Sequence, residues 1–288
     1  MLAVFLREVQ SYFQAITGFI FLGLFLLFAG IIFALSNLWP PGSTDFRNTL
    51  TFLNFIFLVA VPVLTMRLLS EEARQKTDQL LLTSPVSLTG IVVGKFLAAV
   101  TLFTAALAAT VIFPALIGTA GLVVRSEVFC AYLGVFLLGA SLISVGLFVS
   151  SLTDNPVSAA LLTFGAILFI WAIDWLLQAL PRDRWSSLVF LLLLSVLAAV
   201  FVLTTTKNWL VTALVGVVTL GATAVSYGLW PAAFDGLMVH ILLWFSLVAR
   251  YGNFSRGVLA AGPILYYLSF AGTFIFLTVR VIDKRRWS

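Results

Sequence analysis

Side chains able to do chemistry are few and scattered in this sequence of 288 residues. The single cysteine, Cys130, excludes an internal disulfide and a cysteine-based metal cluster. His240 is the only histidine, which leaves little for metal ligation or for a histidine general base. Residues 94–96 (Gly-Lys-Phe) do not form a phosphate-binding loop, because Thr89 stands where its first glycine belongs and phenylalanine follows the lysine. The sequence therefore predicts that the chain is not an enzyme and holds no cofactor or metal.

Charged and hydrogen-bonding groups concentrate in residues 70–89. A serine and two acids at 70–72 are typical of a helix start, since acids favour the positive end of the helix dipole. A second short helix, capped at Thr77 or Asp78, is predicted to run through the leucines at 80–82 and to end before a proline. A link between membrane spans needs only a few residues, so this longer stretch predicts a docking surface for another protein. A solvated loop is the alternative.

The composition indicates a membrane protein. Hydrophobic residues make up 62% of the chain and charged residues 9%, with a mean hydropathy of +1.15. Soluble domains have about 45–50% apolar and about 25% charged residues, so a soluble enzyme is excluded. The net charge of +5 is interpreted as cytoplasmic topogenic charge, with membrane lipids rather than nucleic acid as the partner.

Apolar runs near twenty residues long predict an all-α, polytopic helical membrane protein. A transmembrane barrel would instead show alternation in segments of about ten residues. The eight predicted spans are 16–35, 50–68, 91–117, 128–152, 157–180, 188–203, 209–230 and 263–282. Segment 236–250 is too short to cross and is predicted to be interfacial or re-entrant. The small residues Gly134, Gly139, Ala140 and Ser141 in the fourth span predict close approach of neighbouring helices, as in ordinary helix packing.

An even number of spans places both termini on one side of the membrane. Dense basic clusters at 67–76 and 280–286 predict that this side is cytoplasmic. The chain is thus predicted to be a multi-pass protein of a bacterial inner (plasma) membrane, N-in and C-in. The hairpin 188–230 is either two full spans or partly interfacial, and removing it as a unit leaves six spans with the same orientation.

Residues 1–15 have the spacing of an amphipathic helix. The predicted apolar face consists of Leu2, Phe5, Leu6, Val9, Tyr12 and Phe13. A helix of this kind before the first span is expected to lie in the cytoplasmic headgroup plane. A simple extension of the first transmembrane helix is the alternative.

Polar groups at membrane depth are sparse. Asp174 lies near the outer end of the fifth span, flanked by Trp171 and Trp175, so it belongs either to a transport path or to the interfacial belt. His240 and Asp235 lie in the short outer segment, where cargo contact and an exposed interfacial position are both open.

One stretch of sequence resembles a known family. Its signature reads Met66-Arg67-Leu68-Leu69-Ser70-Glu71-Glu72, Arg74-Gln75-Lys76-Thr77-Asp78-Gln79-Leu80-Leu81-Leu82-Thr83-Ser84-Pro85 and Gly94-Lys95-Phe96. It resembles the permeases of export-type (type-2) ABC transporters, most of all the branch containing the gliding-motility permease GldF and the maturation permease NosY. Similar residues near the C-terminus include Tyr266-Tyr267-Leu268-Ser269 and Lys284-Arg285-Arg286-Trp287.

The resemblance implies a six-helix permease core with an extra hairpin, a connecting helix at 1–15 and a coupling loop at 69–90. It also implies that a separate ATPase subunit grips the loop through Glu71, Glu72, Arg74, Lys76, Thr77, Asp78, Leu80 and Leu81. Two ATP-binding subunits carrying ATP and Mg²⁺, a second permease copy and a GldG-like auxiliary subunit are the implied partners, and export or mechanotransmission is the implied activity. A non-ATP-coupled secondary transporter or a membrane scaffold is the alternative.

The loop departs from the family pattern at two positions. Lys76 stands where the family usually has glycine, which predicts a different or less strained turn at this point. Gln79 stands where the family often has glutamate, which removes one ionic contact with a partner.

Overall fold

The computed structural model describes residues 1–14, 16–38, 46–76, 87–118 and 125–287. Over these ranges the chain is all-α and contains no strand, and it has eight helical segments long and apolar enough to cross a membrane, one of which, Thr49–Gln75, is made of several consecutive helices. The predicted fold class is therefore confirmed, and the chain is a multi-pass membrane protein.

The helices are numbered in chain order. They are α1 Leu2–Gln14, α2 Ile16–Phe33, α3 Phe46–Leu53, α4 Phe57–Thr65, α5 Ser70–Gln75, α6 Leu88–Ala109, α7 Ile112–Gly118, α8 Arg125–Leu152, α9 Pro156–Ala179, α10 Arg184–Thr206, α11 Trp209–Leu229, α12 Leu237–Phe245, α13 Val248–Ser255 and α14 Ala261–Trp287. They form two compact units, one of Met1–Ile170 with Arg250–Ser288 and one of Trp171–Ala249.

Two predicted spans are interrupted. The second consists of α3, a 3-10 turn at Asn54–Ile56, and α4, which continues as a helix through Pro62. The third consists of α6 and α7, separated by a turn. Segment 236–250 is also divided: it contains α12 and the start of α13, and neither helix alone is long enough to cross a membrane.

The core of the first unit is aromatic. Phe103 of α6 makes edge-to-face contacts with Phe25 of α2 and Phe57 of α4, at centroid distances of 6.0 and 5.5 Å. The ring of Phe103 also lies directly on the backbone of α8, because a Cβ added at Gly139 would be 2.5 Å from its Cζ. Phe103 of α6 thus contacts α2, α4 and α8 at the same time.

Two further glycines of α8 allow the same close approach. A Cβ at Gly134 would be 2.6 Å from the Cβ of Phe254, and a Cβ at Gly146 would be 2.2 Å from Oγ1 of Thr65. The prediction that Gly134 and Gly139 admit neighbouring helices is confirmed by these distances. Gly146 extends the small-residue surface toward the end of α8 that carries Ser150.

The second unit is built around the α10–α11 hairpin. Lys207 closes the hairpin in a left-handed conformation (φ 50°), and Asn208 caps α11 by accepting a hydrogen bond from Leu210 N at 3.1 Å. The α10 helix is longer than predicted at both ends, since it includes Arg184 and extends to Thr206. Below the hairpin, Ser187 Oγ accepts a hydrogen bond from Met238 N at 3.3 Å.

Candidate functional site

The described part of the predicted coupling loop begins with α5, which follows a turn at 66–69; the second candidate span, Thr49–Gln75, extends beyond the predicted end at 68 and contains both this turn and α5. Ser150 of α8 holds this turn, because its Oγ accepts hydrogen bonds from the backbone nitrogens of Leu69 and Ser70, each at 3.1 Å. The hydroxyl of Ser70 donates back to the carbonyl of Met66 rather than capping α5. The helix start predicted at Ser70 is therefore present, but α8 supplies the capping oxygen from 80 residues away.

The first turn of α5 also contacts α6, through an ion pair. Glu72 Oε1 accepts a hydrogen bond at 2.8 Å from Nζ of Lys95, a residue two turns into α6. The lysine side chain is 2% exposed and the glutamate side chain 17%. A buried ammonium is stable only when it is paired, and Glu72 supplies one carboxylate for this pairing.

A second carboxylate approaches the same ammonium from the N-terminal helix. Glu8 Oε1 of α1 accepts a hydrogen bond from Lys95 Nζ at 2.9 Å. We call Glu8, Glu72 and Lys95 the charge cluster. It joins three elements that are remote in sequence, with separations of 87 and 23 residues from the lysine.

The chain permits this approach because α6 presents a glycine to α1. A Cβ at Gly94 would be 3.3 Å from Cγ1 of Val4 and 3.4 Å from the Met1 carbonyl oxygen, so α1 packs almost on the backbone of α6. At the other end of α1, the Tyr12 hydroxyl donates to the carbonyl of Leu64 at 3.2 Å. Burial raises the pKa of the Tyr12 phenol, and nearby Glu8 raises it further, so the hydroxyl remains a donor.

The α1 helix is not a straight extension of the first span. A Cβ at Gly18 would be 2.0 Å from the Tyr12 carbonyl oxygen. Residues six apart in a continuous helix are separated by about 9 Å along the axis, so the chain turns sharply between α1 and α2. This geometry excludes the alternative of one continuous helix.

The faces of α1 differ from the sequence prediction. Leu2, Leu6 and Phe13 are exposed, whereas Phe5 and Tyr12 of the predicted apolar face are partly covered, together with Glu8. The predicted stripe is therefore divided between the protein and the surroundings. A hydropathy pattern places a glutamate on the outer face, and only its pairing with Lys95 brings it inside.

The C-terminal end of α5 is exposed and charged. Arg74, Gln75 and Lys76 are exposed, and Glu71 forms a partly exposed i,i+4 pair with Arg67 at 3.3 Å. Lys76 ends the helix in a left-handed conformation (φ 56°), with its backbone nitrogen directed to the carbonyls of Glu72 and Ala73. The prediction of a less strained turn is wrong, because Lys76 itself adopts the left-handed conformation that a glycine would take at such a helix end.

Part of the predicted docking surface lies outside the described residues. Thr77, Asp78, Leu80 and Leu81, together with the departure at Gln79, fall in the range 77–86. The roles assigned to them from the sequence stay predictions.

The two polar residues singled out at the outer side both lie in the second unit, and each is engaged locally. Asp174 Oδ1 accepts a hydrogen bond from the hydroxyl of Ser246. Ser246 Oγ in turn accepts one from Ala249 N at 2.9 Å, in the first turn of α13. His240 Nδ1 lies 2.9 Å from the carbonyl oxygen of Gly236. These contacts brace a helix start and a turn, and a part in transport stays a prediction for both residues.

Sequence reasoning missed the centre of the site. From the sequence, Lys95 stands out only within Gly94-Lys95-Phe96 of the family signature, and Glu8 does not stand out at all. The available signal was a lysine inside an otherwise apolar helix, combined with a glutamate inside an amphipathic one. Within the described residues no group of histidines, cysteines and acids is suited to a metal ion.

Comparison with known proteins agrees with this architecture. Residues 41–182 match the family model described as ABC-2 family transporter protein, which covers just under half of the chain and includes α5 and α6. The match supports an ABC-2 type permease, a membrane transport component that is not itself an ATPase. This family implies association with an ABC ATP-binding subunit. No curated protein matches the chain.

Proposed function

We propose that the chain is the permease subunit that couples ATP hydrolysis, carried out by a separate ATP-binding subunit, to movement of its own transmembrane helices. The observation that carries the proposal is the difference between the two ends of α5. The first turn is held by Ser150 and Lys95, while Arg74 and Lys76 at the other end are exposed. A short helix fixed at its base and charged at its tip is suited to binding a partner and moving with it.

The docking surface consists of the exposed residues of α5 and the loop that follows. Glu71, Arg74 and Lys76 supply charge, and Thr77, Asp78, Leu80 and Leu81 supply a cap and an apolar tip. Charged rims determine association rate and specificity, while a desolvated leucine supplies affinity, so the two parts have different roles in binding.

The wider assembly follows from the family resemblance. It comprises two ATP-binding subunits with their ATP and Mg²⁺, a second copy of this permease and a GldG-like auxiliary subunit, as in the GldF branch. The direction of coupling in this proposal is export or mechanotransmission, with the loop on the cytoplasmic side.

Charge reversal at the tip of α5 tests the docking claim. We expect Arg74→Glu combined with Lys76→Glu to reduce the ATP-binding subunit that co-purifies in mild detergent at least tenfold. Lys207→Glu is the matched control, because Lys207 is also an exposed lysine with a left-handed backbone. Its complex should remain intact.

Two results would count against the proposal. Co-purification unchanged by the double reversal would place the docking surface elsewhere. If no nucleotide-hydrolysing subunit accompanies the wild-type chain, a secondary transporter or a scaffold becomes the better description.

A further inference from the structure

The charge cluster has a geometry that simple anchoring of a loop does not require. One ammonium is shared by two carboxylates, at 2.9 and 2.8 Å, and each carboxylate belongs to a different element. A single pair between α5 and α6 would be enough to bury the lysine. The second carboxylate adds α1 to the same point.

Further contacts hold the three helices around the charge cluster in place. The turn before α5 is held by Ser150, α1 packs against Gly94 of α6, and Tyr12 reaches the carbonyl of Leu64 in α4. Contacts outside the cluster therefore also hold α1, α5 and α6 close to their neighbours.

The geometry points to a positioning role for Lys95: it holds α1, α5 and the start of α6 together as one rigid body, so that displacement of α5 is delivered to α6 and to α1. This inference rests on the proposed function, in which a partner subunit displaces α5. It deepens that function by naming the path, which enters the membrane through α6 as well as through the directly connected α4.

The alternative path would run along the chain alone, from α5 through the turn into α4. In that case the charge cluster would serve stability only, and its removal would leave the movement of α6 unchanged in a folded protein. The two paths therefore differ in a measurable way.

Two matched substitutions separate the links of the cluster. Glu72→Gln leaves Lys95 paired with Glu8 and releases α5, whereas Glu8→Gln leaves Lys95 paired with Glu72 and releases α1. Each variant keeps one neutral ion pair, so neither leaves an isolated buried charge. The exposed pair of Asp154 and Arg285, at 3.0 Å, provides a control through Asp154→Asn.

Spin labels report the two links directly. With Cys130 replaced by alanine, one pair is placed at Gln75 and Leu97 to follow α5 against α6, and another at Gln10 and Leu97 to follow α1 against α6. All three labelled positions are exposed. Distances between the labels are measured by double electron–electron resonance in the complex of the chain with its ATP-binding subunit. The complex is measured once without nucleotide and once trapped with ATP and vanadate.

We expect the wild-type complex to give one narrow Gln75–Leu97 distribution that is the same in both nucleotide states. Glu72→Gln should broaden it at least twofold, while Glu8→Gln and Asp154→Asn leave it narrow. For the Gln10–Leu97 pair we expect the reverse: Glu8→Gln should broaden the distribution, and Glu72→Gln should leave it narrow. This exchange is the result that a general loss of stability would not produce.

A third label pair measures delivery of the movement. Val111, beyond the far end of α6, and Leu161 of α9 are both exposed. ATP should change their distance in the wild type, and Glu72→Gln should reduce that change at least threefold while the ATP-binding subunit still co-purifies.

The inference is overturned if Glu72→Gln keeps the narrow Gln75–Leu97 distribution, or if the ATP-dependent change at Val111 and Leu161 survives in full. It is also overturned if the wild-type Gln75–Leu97 distance itself changes with nucleotide. Should no ATP-binding subunit accompany the chain, the proposed function fails, and the widths in the permease alone still decide whether the three elements are held together.

A neutral triple variant guards against misfolding of the single variants. Glu8→Gln, Glu72→Gln and Lys95→Met remove all three charges at similar volume, a change that buried ion clusters often tolerate. The inference requires broadening at both label pairs, and narrow distributions at both would refute it.

Discussion

At the junction of α1, α5 and α6, a lysine and two glutamates are withdrawn from solvent, whereas in the α10–α11 hairpin most large apolar side chains are exposed. Only Ser187 and Ser195 are buried in α10, and no residue is buried in α11. The positions of the three helices at the junction are fixed by contacts within the chain. The hairpin must obtain its stability from what surrounds it, because apolar surface of that extent is stable only against lipid or another protein.

The same residue types behave differently in the two regions. Lys95 is buried between two carboxylates, while Lys207 is exposed in a turn; Gly146 receives a neighbouring side chain, while Gly221 has nothing within 4 Å of an added Cβ. Substitutions matched by residue type can therefore isolate the effect of tertiary environment, and the predictions below are ordered from the largest expected effect.

The strongest contrast is between the two lysines. Lys95→Met should lower the free energy of unfolding by about 3–5 kcal/mol, because it leaves two carboxylates without their shared partner. Lys207→Met should change it by less than about 0.5 kcal/mol. The free energy of unfolding of each variant is measured in a mild detergent by titration with a denaturing detergent. Equal stability of the two variants would contradict the burial of the charge cluster.

The two glycines give the next contrast. Gly146→Ala should cost about 1–3 kcal/mol, since the new methyl group would lie 2.2 Å from Thr65 Oγ1 and must displace it. Gly221→Ala meets no neighbour and should not destabilise the protein. The same unfolding titration is the measurement, and a tolerated alanine at 146 would show that α4 and α8 are further apart than described.

Removal of one hydroxyl tests the end of α1. Tyr12→Phe should cost about 1 kcal/mol, because the carbonyl of Leu64 loses a donor. Tyr227→Phe in α11 is the counterpart, since the described contacts of Tyr227 are made by its ring with Trp185 and Phe234. Faster amide hydrogen exchange of α1 in the first variant alone is the expected signature; equal exchange would remove Tyr12 from the junction.

The smallest effects are expected for the exposed ion pairs. Asp154→Asn and Asp235→Asn remove pairs with Arg285 and Arg184 at 3.0 and 2.7 Å, one in each unit. Each should lower the free energy of unfolding by less than Tyr12→Phe does, and by less again at high salt, because exposed charges are screened by water and ions. A loss as large as that for Lys95→Met would show that pairing rather than burial determines the energetics.

Much of the fold could be predicted because it depends on local composition. Hydropathy located all eight candidate spans, and helical spacing located α1. The interruptions of the second and third spans were not predicted, because a 3-10 turn at Asn54–Ile56 leaves no mark on a hydropathy average. The left-handed conformation of Lys76 was not predicted, because non-glycine residues rarely adopt a positive φ, whereas the end of α5 places Lys76 there.

The candidate site was predicted by position but not by construction. The segment with Glu71, Glu72, Arg74 and Lys76 is recognisable from its charges, and the structure divides it into a held first turn and an exposed C-terminal end. Nothing local distinguishes Glu71 from Glu72, yet one pairs with an exposed arginine and the other with a buried lysine. That difference follows from the direction in which α5 leaves its turn, and Ser150 fixes this direction from another helix.

The sequence by itself determined a helical membrane protein with a charged loop between its second and third spans, because transfer of apolar runs into lipid is a sum over neighbouring residues. The tertiary structure alone decided that Glu8, Glu72 and Lys95 share one buried site. Pairing of charges across 87 and 23 residues depends on which helix faces meet, and a glycine that admits a helix or a serine that holds a turn acts only once the folded chain brings its partner within a few ångströms.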